Sequence, residues 1–349
     1  MIPGILGQAC RLNFKQLPES KIMSPPVSVI ILNWNGRHLL PDCLGSLAQQ
    51  TWRDFETILV DNGSEDGSAD WVKANYPQVR VIRLNSNQGF CGGNNAGIWA
   101  AAGEYIVLLN NDTLVENNWL ENLYQGIKSD PQIAACDSKI LYFDERDKIW
   151  MSGADYSIAG TPSGRWARQS DRDEFQQPAD VFVACACAAI YRKSVFDEIG
   201  LLDEDFFAGY EDVDWSFRAH LRGYRIVNIS SARVYHKVSA THGFNSEMFV
   251  RNGQRNVSAV FIKNMPLPLL IRYLPLHLIY IGGSMVYFLK IGRGRAFFRA
   301  KWDLLKQLPL LWRKRRQIQK QRRASSSEID SLLNRNWFKS KFDKAKGLN

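Results

Sequence analysis

The sequence predicts an α/β fold: a doubly wound, mostly parallel sheet with right-handed crossovers, followed by a helical, basic C-terminal region. Three observations carry this. Residues 27–32 (VSVIIL), 55–60 (FETILV), 79–84 (VRVIRL) and 105–109 (YIVLL) are runs of apolar and β-branched side chains, suited to the buried strands of a parallel sheet. Each run ends in a turn-forming cluster and gives way to residues at helical spacing. Each cluster is polar: Asn33 and Asn35, Asp61 and Asn62, Asn85 and Asn87, then Asn110, Asn111 and Asp112. In an open α/β sheet these carboxyl ends share one crevice, where ligands bind.

The elements follow in order. After the first strand, Leu39, Leu40, Cys43, Leu44 and Leu47 mark a helix. After the second, Trp71, Val72 and Ala74 lie in a helix with Pro77 beyond it. The third strand leads through NSNQGFCGGNNAGI into a helix around residues 96–102, which Gly103 closes. The fourth stops at Asn110, and a helical pattern begins within residues 115–120. Residues 133–143 and 181–191 read as further strands, with residues 152–180 a long loop or β-hairpin excursion between them. Trp215, Phe217, Ala219 and Leu221 belong to a helix closed by Gly223, with Glu211, Asp212 and Asp214 in its first turn, where the helix dipole favours negative charge. Residues 225–229 and 232–235 read as two short strands, and His236 follows directly.

At 349 residues, 45% hydrophobic and 23% charged, the chain has an ordinary globular composition with room for a large core. Six scattered cysteines lack metal-ligand spacing and read as reduced core thiols of a cytosolic domain. The net charge of +9 is uneven. Residues 290–349 hold 18 Lys/Arg against 4 Asp/Glu, leaving the other 289 residues at −5. Such asymmetry points to an anionic partner surface, lipid head groups or nucleic acid. Residues 1–26 have no basic start followed by an apolar core, so they read as an N-terminal extension in which Met23 is an alternative start.

A lone carboxylate flanked by amides, Asp112 after Asn110 and Asn111, suits a hard cation; an Asn/Asp turn is the simpler reading of the tripeptide alone. The glycines at 89, 92, 93 and 97 do not have the dinucleotide-binding spacing and follow the third strand, which disfavours a nicotinamide-dependent oxidoreductase. They still permit a nucleotide or sugar phosphate to approach the backbone.

VSVIILNWNG, ILVDNGSEDGS, NQGFCGGNNAGI, VLLNNDT and FFAGYEDVDWSFRAHLRGYRI ending in VYH, in that order, resemble the inverting family-2 glycosyltransferases with the GT-A fold, and most of all their rhamnosyltransferase-like branch. The resemblance covers residues 27–245. It implies transfer of a sugar from a nucleotide-diphosphate sugar to a lipid-linked or polysaccharide acceptor in cell-surface glycan synthesis. It implies that Asp61 contacts the base or ribose, and that Asn33, Asn35, Asn87, Gly89, Asn95 and Asn111 line the donor site. Asn110-Asn111-Asp112 matches the place of the family's Asp-x-Asp motif but begins with Asn, so Asp112 is its one anionic ligand. His236 matches the family's metal-contacting histidine, and the implied cofactor is Mn²⁺ or Mg²⁺. Asp212 matches the general base, with Glu211 supporting it or orienting the acceptor. Asp214 is a weaker candidate, two residues along the helix.

From residue 246 the chain changes. Residues 251–264 are basic and amphipathic; residues 265–290 are strongly apolar but interrupted by Arg272, His277, Gly282-Gly283 and prolines. The longest uninterrupted run, residues 278–289, is shorter than the roughly 20 residues a spanning helix needs. Residues 246–323 therefore read as a peripheral membrane-associating region at the cytosolic face of the inner or plasma membrane, with residues 324–349 a loose tail. A helical subdomain packed on the core is the alternative. Nucleic-acid binding is disfavoured because aromatic residues are sparse in WRKRRQIQKQRR. Two other functions share the crevice: a nucleotidyltransferase, which lacks its basic Gly-rich N-terminal loop here, and a catalytically idle nucleotide-sugar or polysaccharide-binding protein.

Overall fold

The computed structural model describes residues 25–172, 175–238 and 246–336; Cys10, Met23 and the far end of the expected tail lie outside them. The first half runs β1 (Val27–Asn33), α1 (Leu40–Ala48), β2 (Phe55–Asp61), α2 (Ser68–Asn75), β3 (Arg80–Arg83), α3 (Gly89–Ala100), β4 (Tyr105–Asn110), β5 (Thr113–Val115) and α4 (Trp119–Lys128). Then come β6 (Ile133–Tyr142), β7 (Ile149–Ser152), β8 (Ala154–Tyr156), β9 (Pro162–Gly164), β10 (Ala179–Asp180), β11 (Ala188–Arg192), α5 (Lys193–Ile199), α6 (Glu211–Leu221) and β12 (Arg225–His236). Four helices close the chain: α7 (Glu247–Asn264), α8 (Leu267–Lys290), α9 (Gly294–Lys320) and α10 (Ser326–Leu332).

The main sheet has the order β10-β12-β6-β11-β4-β1-β2-β3, with β5 on β12 and β7 on β6. β3, β2, β1 and β4 are mutually parallel, as the strand–helix repeat requires. β11 enters antiparallel between β4 and β6. Alternation along each central strand feeds two cores: Ile30, Ile106 and Leu108 face one layer of helices, and Val29, Ile31, Val107 and Leu109 the other. The sheet is thus covered on both faces, which is why its strands read as continuous apolar runs.

Several elements differ from the sequence reading. α3 begins at Gly89, well before residue 96. Its glycines serve packing: a Cβ on Gly97 would sit 2.5 Å from Ile30 Cγ2, and one on Gly93 would strike Leu32, so small residues let the helix lie against β1. Residues 181–187 are buried but pair only through an isolated antiparallel bridge of Val183 with Ala154, while the N–H groups of Cys185 and Ala186 turn to the carboxylates of Asp137 and Asp212. The two short strands expected over residues 225–235 are one strand, β12, bulged between Ile229 and Arg233. The apolar stretch is unbroken: α8 is a single 24-residue helix. Pro268 sits in its first turn, where no donor is missed, and Pro275 is accommodated inside. Residues 325–336 are not a loose tail. Ser325 and Glu328 form a capping box, Ile329 is fully buried, and Asn334 pairs with the backbone of Tyr156 and Ile158. α7 and α9 pack against each other and join the same core as α3 and α6.

Candidate functional site

Parallel register sets the floor of the crevice. Asn33, at the end of β1, is level with Asp61 at the end of β2, and Leu32 is level with Asn110 at the end of β4. Buried Asn33 accepts from Asn111 Nδ2 at 2.7 Å and donates to Ser68 Oγ at 2.9 Å. Asn35, in the left-handed region at φ 51°, donates its N–H to Ser64 Oγ and accepts from Glu65 N–H. Asn87 accepts from Asn62 Nδ2 and Gly89 N–H. These amides brace the four loops that follow β1, β2, β3 and β4. Asp61 is different: it is 5% exposed, and its Oδ1 has no hydrogen-bond partner among the described residues.

Gly89 and Asn95, expected at the donor, have packing roles instead. A Cβ on Gly89 would lie 2.6 Å from the Phe207 carbonyl oxygen. Asn95 is buried, with both amide atoms engaged by the Leu202 backbone and its nitrogen also donating to Glu204.

The antiparallel ladder of β5 and β12 sets His236 opposite Thr113 and so beside Asp112. His236 Nε2 lies 3.1 Å from Asp112 Oδ1, with both side chains under a tenth exposed. The contact lacks hydrogen-bond geometry: among the described residues Asp112 Oδ1 and His236 Nδ1 have no hydrogen-bond partner, and Trp150 packs on the imidazole edge to face. A buried carboxylate oxygen without a partner, 3.1 Å from an imidazole Nε2, fits a site for a divalent cation. Among the described residues no group of three His, Cys, Asp or Glu could hold a metal, so these two would hold it with help from a bound ligand.

The second acidic centre opens α6. Residues 207–210 turn sharply into the helix, with Phe207, Gly209 and Tyr210 at φ 62°, 84° and 73°. Asp212 Oδ1 accepts from Val213 N–H at 2.8 Å and Oδ2 from Ala186 N–H at 3.4 Å. The next residue, Cys187, takes Asn110 N–H on its carbonyl, so the short strip 186–187 joins Asp212 to the end of β4. Glu211 Oε2 is buried without a partner. Burial raises the carboxyls of both Glu211 and Asp212, and the neighbouring Asp212 charge adds to the rise at Glu211. Asp214 is saturated: Arg218 Nε at 2.9 Å, Lys263 Nζ at 2.7 Å and Asn264 Nδ2 at 2.7 Å surround its fully buried carboxylate. That removes it as a base.

Residues 28–200 match the model of Glycosyl transferase family 2. Those residues are similar to a family 2 glycosyltransferase domain. Glycosyltransferase GlyG of Streptococcus pneumoniae is 32% identical over 142 residues, 39% of this chain and 47% of that protein. The O-antigen biosynthesis protein RfbC of Myxococcus xanthus is 28% identical over 228 residues, 62% of this chain and 18% of that protein. The chain thus spans about half of GlyG and a smaller part of RfbC. The solved structure of GalNAc-T7 with UDP, GalNAc and Mn²⁺ superposes with a TM-score of 0.56 at 18% identity, covering 69% of this chain and 48% of that one, which establishes a GT-A-like fold.

Sequence reasoning missed several parts of this candidate site. Ser64 and Ser68 were hidden in a turn composition, and Trp150 in a short strand. Asp137, in the middle of β6, is fully buried; burial pushes its carboxyl up to about 8, against hydrogen bonds from Cys185, Gly153 and Asn228. A lone acid inside an apolar run was the one signal for it.

Proposed function

We propose that this protein is an inverting, metal-dependent glycosyltransferase. It would move a sugar from a nucleotide-diphosphate sugar to a lipid-linked or polysaccharide acceptor of the cell surface, as a peripheral protein at the cytosolic membrane face. The observation that carries this reading is the buried, unpartnered Asp112 Oδ1 lying 3.1 Å from His236 Nε2 at the carboxyl end of the sheet. A divalent cation held by Asp112 and His236 supplies charge neutralisation for the leaving diphosphate. Asp61, with an open oxygen two strands away, accepts from base or ribose of the nucleotide. Asn33, Asn35, Asn87 and Asn111 hold the loops that shape the donor pocket. Asp212 takes the acceptor hydroxyl proton as the acceptor oxygen bonds to the anomeric carbon and the bond from that carbon to the diphosphate oxygen breaks on the opposite face. Glu211 supports Asp212 or orients the acceptor.

The Mn²⁺ in the GalNAc-T7 structure supports the metal, the O-antigen role of RfbC supports a surface glycan, and the rhamnosyltransferase-like motifs make a nucleotide-diphosphate rhamnose the first donor to try. Asn110 in place of an acid, with no third ligand among the described residues, favours one second reading, an idle nucleotide-sugar binder.

The test is a thermal-shift screen of nucleotide diphosphates and their sugars with Mn²⁺ or Mg²⁺, on wild type and Asp112→Ala, followed by a turnover assay on the best donor. A metal-dependent rise in Tm with one nucleotide, lost in the variant, is the expected result. The same rise without turnover selects the idle binder; no rise with any nucleotide sinks both.

A further inference from the structure

We propose that Asn256, on α7, is a positioning residue for the Glu211–Asp212 carboxylates, so that the helical region beyond the family domain completes the catalytic site. The inference rests on the reading of Asp212 as the base.

Asn256 is 1% exposed, and its amide nitrogen lies within hydrogen-bonding distance of three backbone carbonyls of one short loop: Phe206 at 3.0 Å, Ala208 at 3.2 Å and Gly209 at 2.7 Å. The amide cannot turn over. Its oxygen accepts from Arg255 Nε at 2.9 Å, and the same guanidinium donates to the carbonyls of Asp205 and Phe206. The one carbonyl that Asn256 leaves, Phe207, is taken by the N–H groups of Phe90 and Cys91 at the start of α3. Residues 206–209 therefore have every carbonyl held from outside the loop, by α7 on one side and α3 on the other.

The loop needs that hold. Phe207 and Tyr210 carry side chains at positive φ, a conformation that persists only where the surroundings enforce it. The next two residues are Glu211 and Asp212. Beyond them, Lys263 and Asn264, two helical turns along α7 from Asn256, grip Asp214. One helix thus grips the chain just before and just after the two carboxylates, and Asn256 donates no bond to either of them. Losing it leaves the part-buried carbonyls of Ala208 and Gly209 to find new partners, which the strained turn can do by relaxing and carrying Asp212 out of line.

The experiment is hydrogen exchange across residues 204–216 in the full chain, for wild type and Asn256→Ala, alongside kcat and donor KM in Mn²⁺ with the nucleotide sugar found by thermal shift. Exchange at residues 207–213 should quicken at least tenfold while β4 and β12 stay protected, and kcat should fall at least tenfold with donor KM within twofold. Unchanged exchange overturns the proposal, and so does a loosened loop with wild-type kcat. If wild type turns over no donor yet the loop loosens, the hold of Asn256 on the carboxylates stands and the transferase reading falls. Should Asn256→Ala fail to fold, Arg255→Gln, which frees the amide to rotate, should loosen the same peptide to a lesser degree; full protection there overturns the proposal too.

Discussion

Lys263 and Asp214 form an ion pair 2.7 Å long from which water is excluded, both side chains being at most 1% exposed. The same ammonium reaches Asp203 at 2.5 Å, so one cation ties α7 to both ends of the stretch carrying the acidic centre. A buried pair is weak evidence for net stability, but removing one member strands the other's charge. Lys263→Met should therefore destabilise the fold by about 3–5 kcal/mol, read from urea midpoints. Burial opposes ionisation of Asp203, yet Lys263 and Lys314 hold its carboxyl well below the ordinary value. Its stabilising contribution is thus present above pH 3.8 and lost as acid titrates the folded state, and the variant should lose much of that acid dependence.

Asp212→Asn should lower kcat by about 10²–10⁴-fold while Mn²⁺-dependent nucleotide binding stays near wild type, since the lost group acts on the acceptor hydroxyl. The base works ionised, and burial raises its carboxyl. The acid limb of the kcat/KM profile should then lie above the usual carboxylate range. Near-normal turnover in the variant moves the base to Glu211, whereas a limb at or below pH 3.8 excludes both raised carboxyls as the titrating base.

Asp137 gives the opposite pH dependence from Asp203. Its carboxyl titrates at about 8 in the fold against 3.8 unfolded, so between those values the native state holds a proton that the unfolded state has released. Stability from this group is greatest below pH 3.8, falls by about 1.4 kcal/mol per pH unit at most through the window, and levels off above pH 8. Asp137→Asn keeps the acceptor for Cys185 N–H and removes the titration. Urea midpoints from pH 4 to 8 should therefore show the variant gaining on wild type as pH rises. A constant difference would mean that Asp137 ionises normally.

The first half of the fold was legible because each parallel strand is buried on both faces and stops at a polar turn; period and punctuation agreed from Val27 to Asp112. Asp61, Asp112, Glu211, Asp212 and His236 were singled out by motif order, and the fold sets His236 against Asp112 and puts Glu211 and Asp212 in the first turn of α6. What could not be read was long-range geometry. Residues 181–187 looked like strand because burial dictates apolar side chains whether or not a ladder forms. Asn95 and Gly89 looked like ligand residues because buried amides and close-packed glycines have the same composition in a helix contact as in a binding loop. Asn256 lay in a basic, amphipathic segment, and only its one-sided burial distinguishes it from a surface amide.

The outer face of α8 is where the membrane proposal can fail. Its inner stripe, Leu269, Leu270, Tyr273 and His277, is buried on the protein, while Ile271, Leu278, Ile279 and Val286 are about half exposed or more. By length and composition α8 is the one helix among the described residues that could cross a membrane. A helix bound to its own domain along one stripe cannot be ringed by lipid, so lying in the interface suits it better. α9 adds exposed Phe298, Trp302 and Trp312 among its many basic residues, a pattern of interfacial aromatics and lipid-facing cations. Cutting the chain at residue 264 would remove Lys314 and its bonds to Asp203 and Asp205, so truncation would test folding as much as binding. Ile271→Glu with Ile279→Glu alters only exposed positions. In flotation with vesicles of anionic and zwitterionic lipid, wild type should bind the anionic ones and release partly in high salt, and the double variant should lose most binding at unchanged Tm. Equal flotation of both proteins would place the lipid contact elsewhere, and binding that ignores lipid charge would remove the basic helix from the account.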